Sequence, residues 1–240
     1  METAKLYEGK AKVVLADRED GFVRMVFKDD ATADNGLKRG RIADKGRMNR
    51  DISAALFRYL EAHGIPTHYV EAAGEREMRV RRLRMLPLEF VVRNTAAGSL
   101  ARRLGLPEGQ ELGRVVVEIY LKNDALGDPL INRDHIRALG LADDGDVDRA
   151  IELARRTNDL LRPLLLSCGL RLIDFKLEFG VDAKGEVRLG DEISPDTCRF
   201  WDAATGTRLD KDRFRRDMGG VEEAYAEVLR RVDAAVGGAA

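Results

Sequence analysis

The stretch LIDFKLEFG at residues 172–180 alternates apolar and charged side chains with the two-residue period of a β-strand. One face of this strand carries the apolar members, Ile173, Phe175, Leu177 and Phe179. The opposite face carries Asp174, Lys176 and Glu178. A strand with one solvated face shows the same alternation, so the stretch alone leaves both readings open.

A second strand, predicted at 186–193 with the sequence EVRLGDEI, follows a turn at 182–185. Pairing the two strands about that turn brings Asp191 close to Lys176 and Glu178. Mg²⁺ is typically held by one or two carboxylates together with substrate phosphates. The sequence therefore predicts a β-hairpin and, at this hairpin, a Mg²⁺–nucleotide site.

The segment SPDTCR at 194–199 leaves this hairpin directly. Ser-Pro-Asp is a common turn former, which is its ordinary structural explanation. Arg199 is then expected near the carboxylates of the hairpin, where its planar fork suits a substrate phosphate or carboxylate.

A short basic turn, LYEGKAK at residues 6–12, is a second candidate site. Gly9 permits close approach of a ligand to the backbone, and Lys10 and Lys12 are one strand period apart. Such turns often bind phosphates, although a pair of surface lysines is the commoner explanation. The pattern matches neither the phosphate-binding loop of nucleotide hydrolases nor a dinucleotide fingerprint.

A third candidate is VVRNTAAGSL at 91–100, where a strand ends at Arg93 and a helix is predicted from Ser99. A helix N-terminus beside an arginine attracts anions. An ordinary serine cap explains the same pattern equally well.

The remaining pattern predicts a mixture of strands and helices. Strands are predicted at 11–16, 22–27, 67–72, 77–83, 88–92 and 115–121. A polar loop is predicted at 29–46, and helices at 48–60, 99–104, 147–165 and from Val221 onward. Pro163 is expected to kink or end its helix, and Pro87 to break the chain at a hinge. We therefore predict a small lobe at residues 1–84 and a larger lobe at 85–240.

Composition limits the classes of function. The 240 residues are 44% hydrophobic and carry a formal net charge of −1, so disorder and general binding of nucleic acid or anionic membranes are not expected. No segment has the roughly 18 apolar residues that a membrane span needs. The polar first twelve residues and two cysteines, Cys168 and Cys198, favour a cytoplasmic protein with reduced thiols.

Taken together, the chain resembles the SAICAR synthetase family of purine biosynthesis from about residue 5 to 232. The resemblance rests on these blocks: LYEGKAKVV (6–14), FKDDATADNG (27–36), GIPTHYVE (64–71), MLPLEFVVRNTAAGSLARRLG (85–105), LKNDALGDPLIN (121–132), DFKLEFG (174–180), GDEISPDTCRFWD (190–202) and LDKDRFRRDMGG (209–220). The VRN-AAGS and DEISPD-CR-WD blocks are highly specific.

The resemblance implies an ATP-dependent ligase that uses Mg²⁺. It would join L-aspartate to carboxyaminoimidazole ribotide through an acyl phosphate and release ADP and phosphate. The implied fold is α+β, with two lobes of antiparallel sheets and flanking helices, similar to ATP-grasp and kinase-like nucleotide binders, and ATP would lie in the cleft between the lobes. A homodimer is also implied.

Matching blocks imply individual roles. The nucleotide-binding positions are Gly9, Lys10, Lys12, Arg81, Met85 and Lys122. The metal ligands are Glu178 and Asp191. The ribotide-binding set is Arg93, Ser99, Asp174, Lys176, Asp196, Arg199 and Arg215, among which Asp174, Lys176 and Arg199 are the catalytic candidates.

Two departures from the family pattern bear on these roles. Arginines at 81–82 stand where lysines are expected, and Arg50 stands in place of a second asparagine. Two other functions remain open from the residues alone. A phosphotransferase acting on another sugar phosphate would not need aspartate, and a non-catalytic nucleotide-binding regulator would lack a metal carboxylate or a phosphate-binding arginine.

Overall fold

The structure, a computed structural model, describes residues 4–33 and 37–238. Within these ranges the strands are β1 (Lys5–Glu8), β2 (Lys12–Ala16), β3 (Phe22–Phe27), β4 (Asp30–Ala33), β5 (Lys38–Arg41), β6 (Tyr69–Ala72), β7 (Glu77–Arg81), β8 (Arg84–Thr95), β9 (Glu111–Leu121), β10 (Leu130–Ile131), β11 (Leu170–Val181), β12 (Val187–Leu189) and β13 (Cys198–Asp202). The helices are α1 (Lys45–Ala62), α2 (Gly98–Leu104), α3 (Arg133–Ala138), α4 (Asp144–Ser167), α5 (Asp212–Arg215) and α6 (Val221–Gly237), with a 3₁₀ turn at Asp124–Leu126.

The first sheet is antiparallel in the order β1-β2-β3-β7-β6. Strand β3 alternates as expected, so that Val23, Met25 and Phe27 are buried while the residues between them are partly exposed. Helix α1 packs on this sheet with its apolar stripe, which includes the fully buried Ile52 and Leu56.

The second sheet has the order β10-β9-β8-β11-β12, and β13 pairs with the first half of β11. Helix α4 packs on β11 and β8. The antiparallel register of β8 and β11 places Asp174 opposite Arg93 and Glu178 opposite Glu89. Asp174 thus faces an opposite charge across the strand pair, whereas Glu178 and Glu89 are like charges that the ammonium of Lys176 bridges.

The two sheets meet at the end of β12. The backbone N–H of His68 donates to the Leu189 carbonyl at 2.9 Å, and the Leu189 N–H donates to the Pro66 carbonyl at 2.9 Å. One continuous hydrophobic core includes Phe57 from the first half of the chain and Phe179 from the second. The α+β fold with antiparallel sheets and flanking helices is therefore confirmed, while the division at residue 84 stays a prediction.

The break expected at Pro87 is wrong, because β8 runs through it. The pairing of β8 with β11 shifts register between Glu89 and Met85. Pro87 therefore lies at an irregularity of the strand, where the ladder does not require a backbone N–H donor. Its carbonyl still accepts a hydrogen bond from the N–H of Lys122 at 3.0 Å.

The loop predicted at 29–46 is also corrected. It contains the β4–β5 hairpin, and α1 already begins at Lys45; residues 34–36 lie outside the described residues. The hairpin is held against the end of α5, where the ammonium of Lys38 donates to the Phe214 carbonyl at 2.6 Å. Its two strands are short and carry no large apolar side chain, so apolar and polar residues do not alternate clearly along them. The sequence pattern therefore does not predict them.

Two boundaries differ from prediction. Strand β12 ends at Leu189 rather than at 193, since Asp191 has a left-handed backbone with φ of 57°. Helix α4 does not end at Pro163 but continues to Ser167, and the buried Leu164 and Leu165 hold its last turn in the core. No helix in the described ranges has the length and apolarity to cross a membrane.

Candidate active site

Two cavities adjoin, of which the larger lies between the sheets and the smaller is lined by residues of β8 and of later parts of the chain. The larger has a volume of about 520 Å³ and the smaller about 330 Å³. Both are lined by Glu89, Asp128, Lys176, Asp196 and Thr197, so they form one continuous cleft. Clefts of this size suit small-molecule ligands.

One end of the larger cavity is apolar. Its lining residues there come from the first sheet and from the start of β8: Leu6, Val14, Val23, Met25, Val80, Leu83 and Met85. The Met85 thioether packs on Gly180 and Gly190, where an added Cβ would lie 3.0 Å and 3.2 Å from its atoms. Glycine at both positions thus lets the hairpin of β11 and β12 approach β8 closely.

The middle of the cleft holds a cluster of alternating charges, the acid–lysine cluster: Lys12, Lys122, Lys176, Glu89, Glu178, Asp191 and Glu192. Lys12 donates to Asp191 and lies 3.0 Å from Glu192. Lys122 donates to Glu178. The ammonium of Lys176 lies 2.6 Å from Glu178, 2.9 Å from Glu89 and 3.8 Å from Asp191. Lys176 therefore links β11 to β8 and to the segment that follows β12.

The charges of the cluster shift the pKa values of Asp191 and Lys176 in opposite directions. Burial on its own would raise the pKa of Asp191, but the charges of Lys12, Lys176 and Lys122 hold that pKa well below its usual range. Burial likewise opposes the charge of Lys176, yet Glu178, Asp191 and Glu89 raise its pKa well above normal. At neutral pH the cleft therefore presents ionised oxygens and ammonium groups together.

The smaller cavity is rich in arginine. Arg93 is only 3% exposed and donates to Glu118 at 2.6 Å, Asp174 at 2.7 Å, Ser99 at 2.9 Å and Tyr120 at 3.1 Å. Every edge of its guanidinium is thus oriented by neighbouring side chains.

Arg199 holds the other side of Asp174. Its Nη1 donates to both Asp174 oxygens at 3.0 and 2.9 Å, and its Nε donates to Asp212 at 2.9 Å. The guanidinium lies so close to Gly98 that an added Cβ would be 2.5 Å from Nη2. Arg215 donates to Asp212 at 2.6 Å and is the most exposed of the three arginines. This end of the cleft suits an anionic group such as a phosphate.

Every residue predicted for the site from sequence lines this cleft. The larger cavity contains Gly9, Lys10, Lys12, Arg81, Met85, Lys122, Glu178 and Asp191. The smaller contains Arg93, Ser99, Asp174, Arg199 and Arg215, and both contain Lys176 and Asp196. Their individual roles stay predictions.

Arg81 and Asp196 are held by partners outside both the acid–lysine cluster and the arginines of the smaller cavity. The Arg81 guanidinium donates to the Tyr69 carbonyl at 2.8 Å. The Asp196 carboxylate accepts from Lys45 at 2.6 Å and from Tyr225 at 2.8 Å, which ties the 194–199 turn to α1 and α6. Asp196 thus serves packing as well as lining both cavities.

Sequence reasoning missed several charged residues of the cleft. Glu89 stands alone between Leu88 and Phe90 in β8, a charge within an apolar strand that would have marked it. Glu192 directly follows Asp191. Lys45 and Tyr225 gave no signal, because their partner is distant in sequence.

The sequence profile of the SAICAR synthetase family matches residues 5–232. A phosphoribosylaminoimidazole-succinocarboxamide synthase of Desulfitobacterium hafniense (strain Y51) is 59% identical over 227 residues, covering 95% of each chain. The crystal structure of the enzyme of that name from Ehrlichia chaffeensis has a TM-score of 0.93 at 39% identity, covering 96% of this chain and 99% of its own. A SAICAR synthetase in complex with ADP has a TM-score of 0.92 at 49% identity, covering 95% of this chain and 97% of its own. The chain therefore belongs to the SAICAR synthetase family.

Proposed function

We propose which part of the cleft binds each substrate of the family's reaction. That reaction is the ATP-dependent ligation of L-aspartate to carboxyaminoimidazole ribotide in purine biosynthesis. As a member of this family the chain is a carbon–nitrogen ligase. The observation that carries the proposal is one cleft with an apolar end, a charged middle and an arginine-rich end.

ATP is assigned to the larger cavity. Its apolar end near Met85 suits a purine base. Lys12 and Lys122 belong to the charged cluster in the middle of the cleft and Lys10 lines the same cavity, so a triphosphate would follow there. The solved relative that holds ADP supports the use of this nucleotide by the fold. Gly9 lines the larger cavity, and its missing side chain lets the Tyr7 ring lie against this turn, where an added Cβ would be 3.2 Å from Cε1.

The carboxylates of Glu178 and Asp191 fit a Mg²⁺ ion, since both are oxygen donors that face the larger cavity. In the described ranges no three acids, histidines or cysteines are grouped to hold a metal alone, so phosphate oxygens would complete the shell. Bound there, Mg²⁺ would neutralise charge on the transferring phosphoryl group.

The ribotide is assigned to the smaller cavity, with Arg93, Ser99, Arg199 and Arg215 around its phosphate and Asp174 and Lys176 beside its base. The substrate carboxylate attacks the γ-phosphorus, the bond to ADP breaks, and an acyl phosphate forms. The aspartate amine then attacks the acyl carbon, the bond to phosphate breaks, and the proton that the nitrogen loses is released to water. Lys176 lies where the cavities meet and stabilises the charge that develops there.

Assembly and location complete the proposal. A homodimer follows from the family resemblance and is checked by sedimentation of the purified protein. A cytoplasmic location is supported by Cys168 and Cys198, which are both free thiols.

The reaction is tested with ATP, Mg²⁺ and ribotide, with and without L-aspartate. We expect phosphate and succinocarboxamide in equal amounts only when aspartate is present. Product formation that does not depend on aspartate would overturn the ligase assignment. With ¹⁸O in the ribotide carboxylate, an acyl phosphate must deliver one ¹⁸O atom to the released phosphate.

A further inference from the structure

Lys211 lies at the meeting point of the two cavities. Its side chain is 12% exposed and lines the larger cavity beside Asp196 and Thr197, which also line the smaller one. Its backbone N–H donates to the Pro195 carbonyl at 3.0 Å, so the position is fixed relative to the 194–199 turn.

The ammonium of Lys211 has no close acid. In the described part of the chain its Nζ donates no hydrogen bond, and its one ion-pair partner is Asp196 at 4.0 Å. Both oxygens of Asp196 already accept shorter hydrogen bonds, from Lys45 at 2.6 Å and from Tyr225 at 2.8 Å. Lys12, Lys122 and Lys176, by contrast, all donate directly to carboxylates.

The surroundings leave this charge poorly balanced. Burial lowers the pKa of Lys211, and the positive charges of Arg215 and Lys45 lower it further. The negative charges of Asp196 and Glu192 raise it, but they do not offset the lowering. A buried cation without a hydrogen-bonded anion is costly, so a bound carboxylate or phosphate would relieve a real cost.

The proposed roles leave the carboxylates of L-aspartate without a cationic partner. Lys10, Lys12 and Lys122 are assigned to the triphosphate, and the arginines of the smaller cavity to the ribotide phosphate. The amino-acid substrate brings two carboxylates, and its amine must reach an acyl carbon formed where the cavities join. We propose that Lys211 binds a carboxylate of L-aspartate at this junction, an assignment that rests on the proposed function.

Lys211→Met tests the assignment, because it keeps the length of the side chain and removes the charge. We expect the KM for L-aspartate to rise about 10- to 100-fold, as for loss of a charge-assisted hydrogen bond. The KM values for ATP and ribotide should change less than about 2-fold. Lys184→Met, in the exposed turn at 182–185, is the matched control for loss of a lysine charge.

An equal or larger rise in the KM for ATP or for ribotide would overturn the assignment and make Lys211 a phosphate ligand instead. An unchanged KM for aspartate would overturn it as well. Thermal melting checks that Lys211→Met is folded, and Lys211→Gln provides a second neutral variant with the same expected pattern.

Hydroxylamine separates this proposal from the acyl phosphate on which it rests. It attacks the acyl carbon in place of the aspartate amine, forms a hydroxamate and releases phosphate, but it has no carboxylate. In Lys211→Met the rate with aspartate relative to hydroxylamine should fall at least about 10-fold. An unchanged ratio contradicts the role of Lys211. Absence of hydroxamate in the unmodified protein contradicts the acyl phosphate, while the KM measurements still decide the role of Lys211.

Discussion

Asp191 combines two properties that rarely occur together. Its backbone is left-handed, with φ of 57°, and its carboxylate lies buried among three lysines. The left-handed residue ends β12 and turns the side chain towards Lys12 and Lys176. Asparagine tolerates this backbone as well as aspartate does, so the charge is separable from the turn.

We therefore predict that Asp191→Asn lowers kcat about 100-fold or more with little change in melting temperature, because a charge at the reacting phosphates is lost and the turn is kept. Steady-state kinetics and thermal melting measure the two effects. Asp44→Asn is the matched control, since Asp44 also has a left-handed backbone but lies at the exposed start of α1. Near-normal turnover of Asp191→Asn would remove Asp191 from the metal site.

At this scale the sequence predicts what lies within one hairpin. The two-residue period of residues 172–180 predicts that Asp174, Lys176 and Glu178 share a face, and the short turn brings Asp191 to them. The pairing of Glu89 with Lys176 depends on the register of β8 against β11. No local pattern contains that register, because it is set by packing of the whole sheet.

Among the elements, the β11–β12 hairpin matters most to the site, and Asp182 stabilises its turn. The Asp182 side chain accepts hydrogen bonds from the N–H of Lys184 at 2.8 Å and of Glu186 at 3.0 Å, and from Arg188 Nε at 2.6 Å. Burial would raise the pKa of Asp182, but the bond from Arg188 and the two N–H groups lower it from 3.8 to about 2.

Asp182→Ala should reduce the free energy of unfolding at pH 7 by about 1–2 kcal/mol, because these hydrogen bonds are lost. The folded protein binds fewer protons at Asp182 than the unfolded chain between its two pKa values, 3.8 and about 2. The deficit of the variant should therefore be full above about pH 4 and shrink as the pH falls towards 2. Urea unfolding across this pH range measures it.

Lys184→Ala is the control within the same turn, since it keeps the backbone N–H that donates a hydrogen bond to Asp182. A deficit of Asp182→Ala that does not change with pH would show that the ionised carboxylate is not what stabilises the turn.

The two prolines show why element boundaries escaped prediction. Local rules predict a break at Pro87 and a kink or a helix end at Pro163. In the fold, the register shift opposite Pro87 and the buried leucines after Pro163 compensate for the lost N–H groups. These compensations come from neighbouring elements, so they are visible only after the chain has packed.

At the scale of the whole molecule, the cleft exists because two sheets meet at one edge while sharing a core. Leu189 hydrogen-bonds to the segment before β6, and α1 packs on α6 across the two halves of the chain. The acid–lysine cluster takes Lys12 from the first sheet and Lys176 from the second. A site of this kind requires both halves to be folded together.

We therefore expect the chain to unfold in one cooperative transition, even though a lobe boundary is predicted at residue 84. Trp201, the only tryptophan, lies in β13 and reports the second sheet by fluorescence, whereas far-ultraviolet circular dichroism reports all elements. In urea the two signals should give the same midpoint and slope. ADP at 100 times its Kd should shift both together, by about 2.7 kcal/mol in unfolding free energy. A fluorescence transition that separates from the circular dichroism transition would show that the halves fold independently and that the shared core does not couple them.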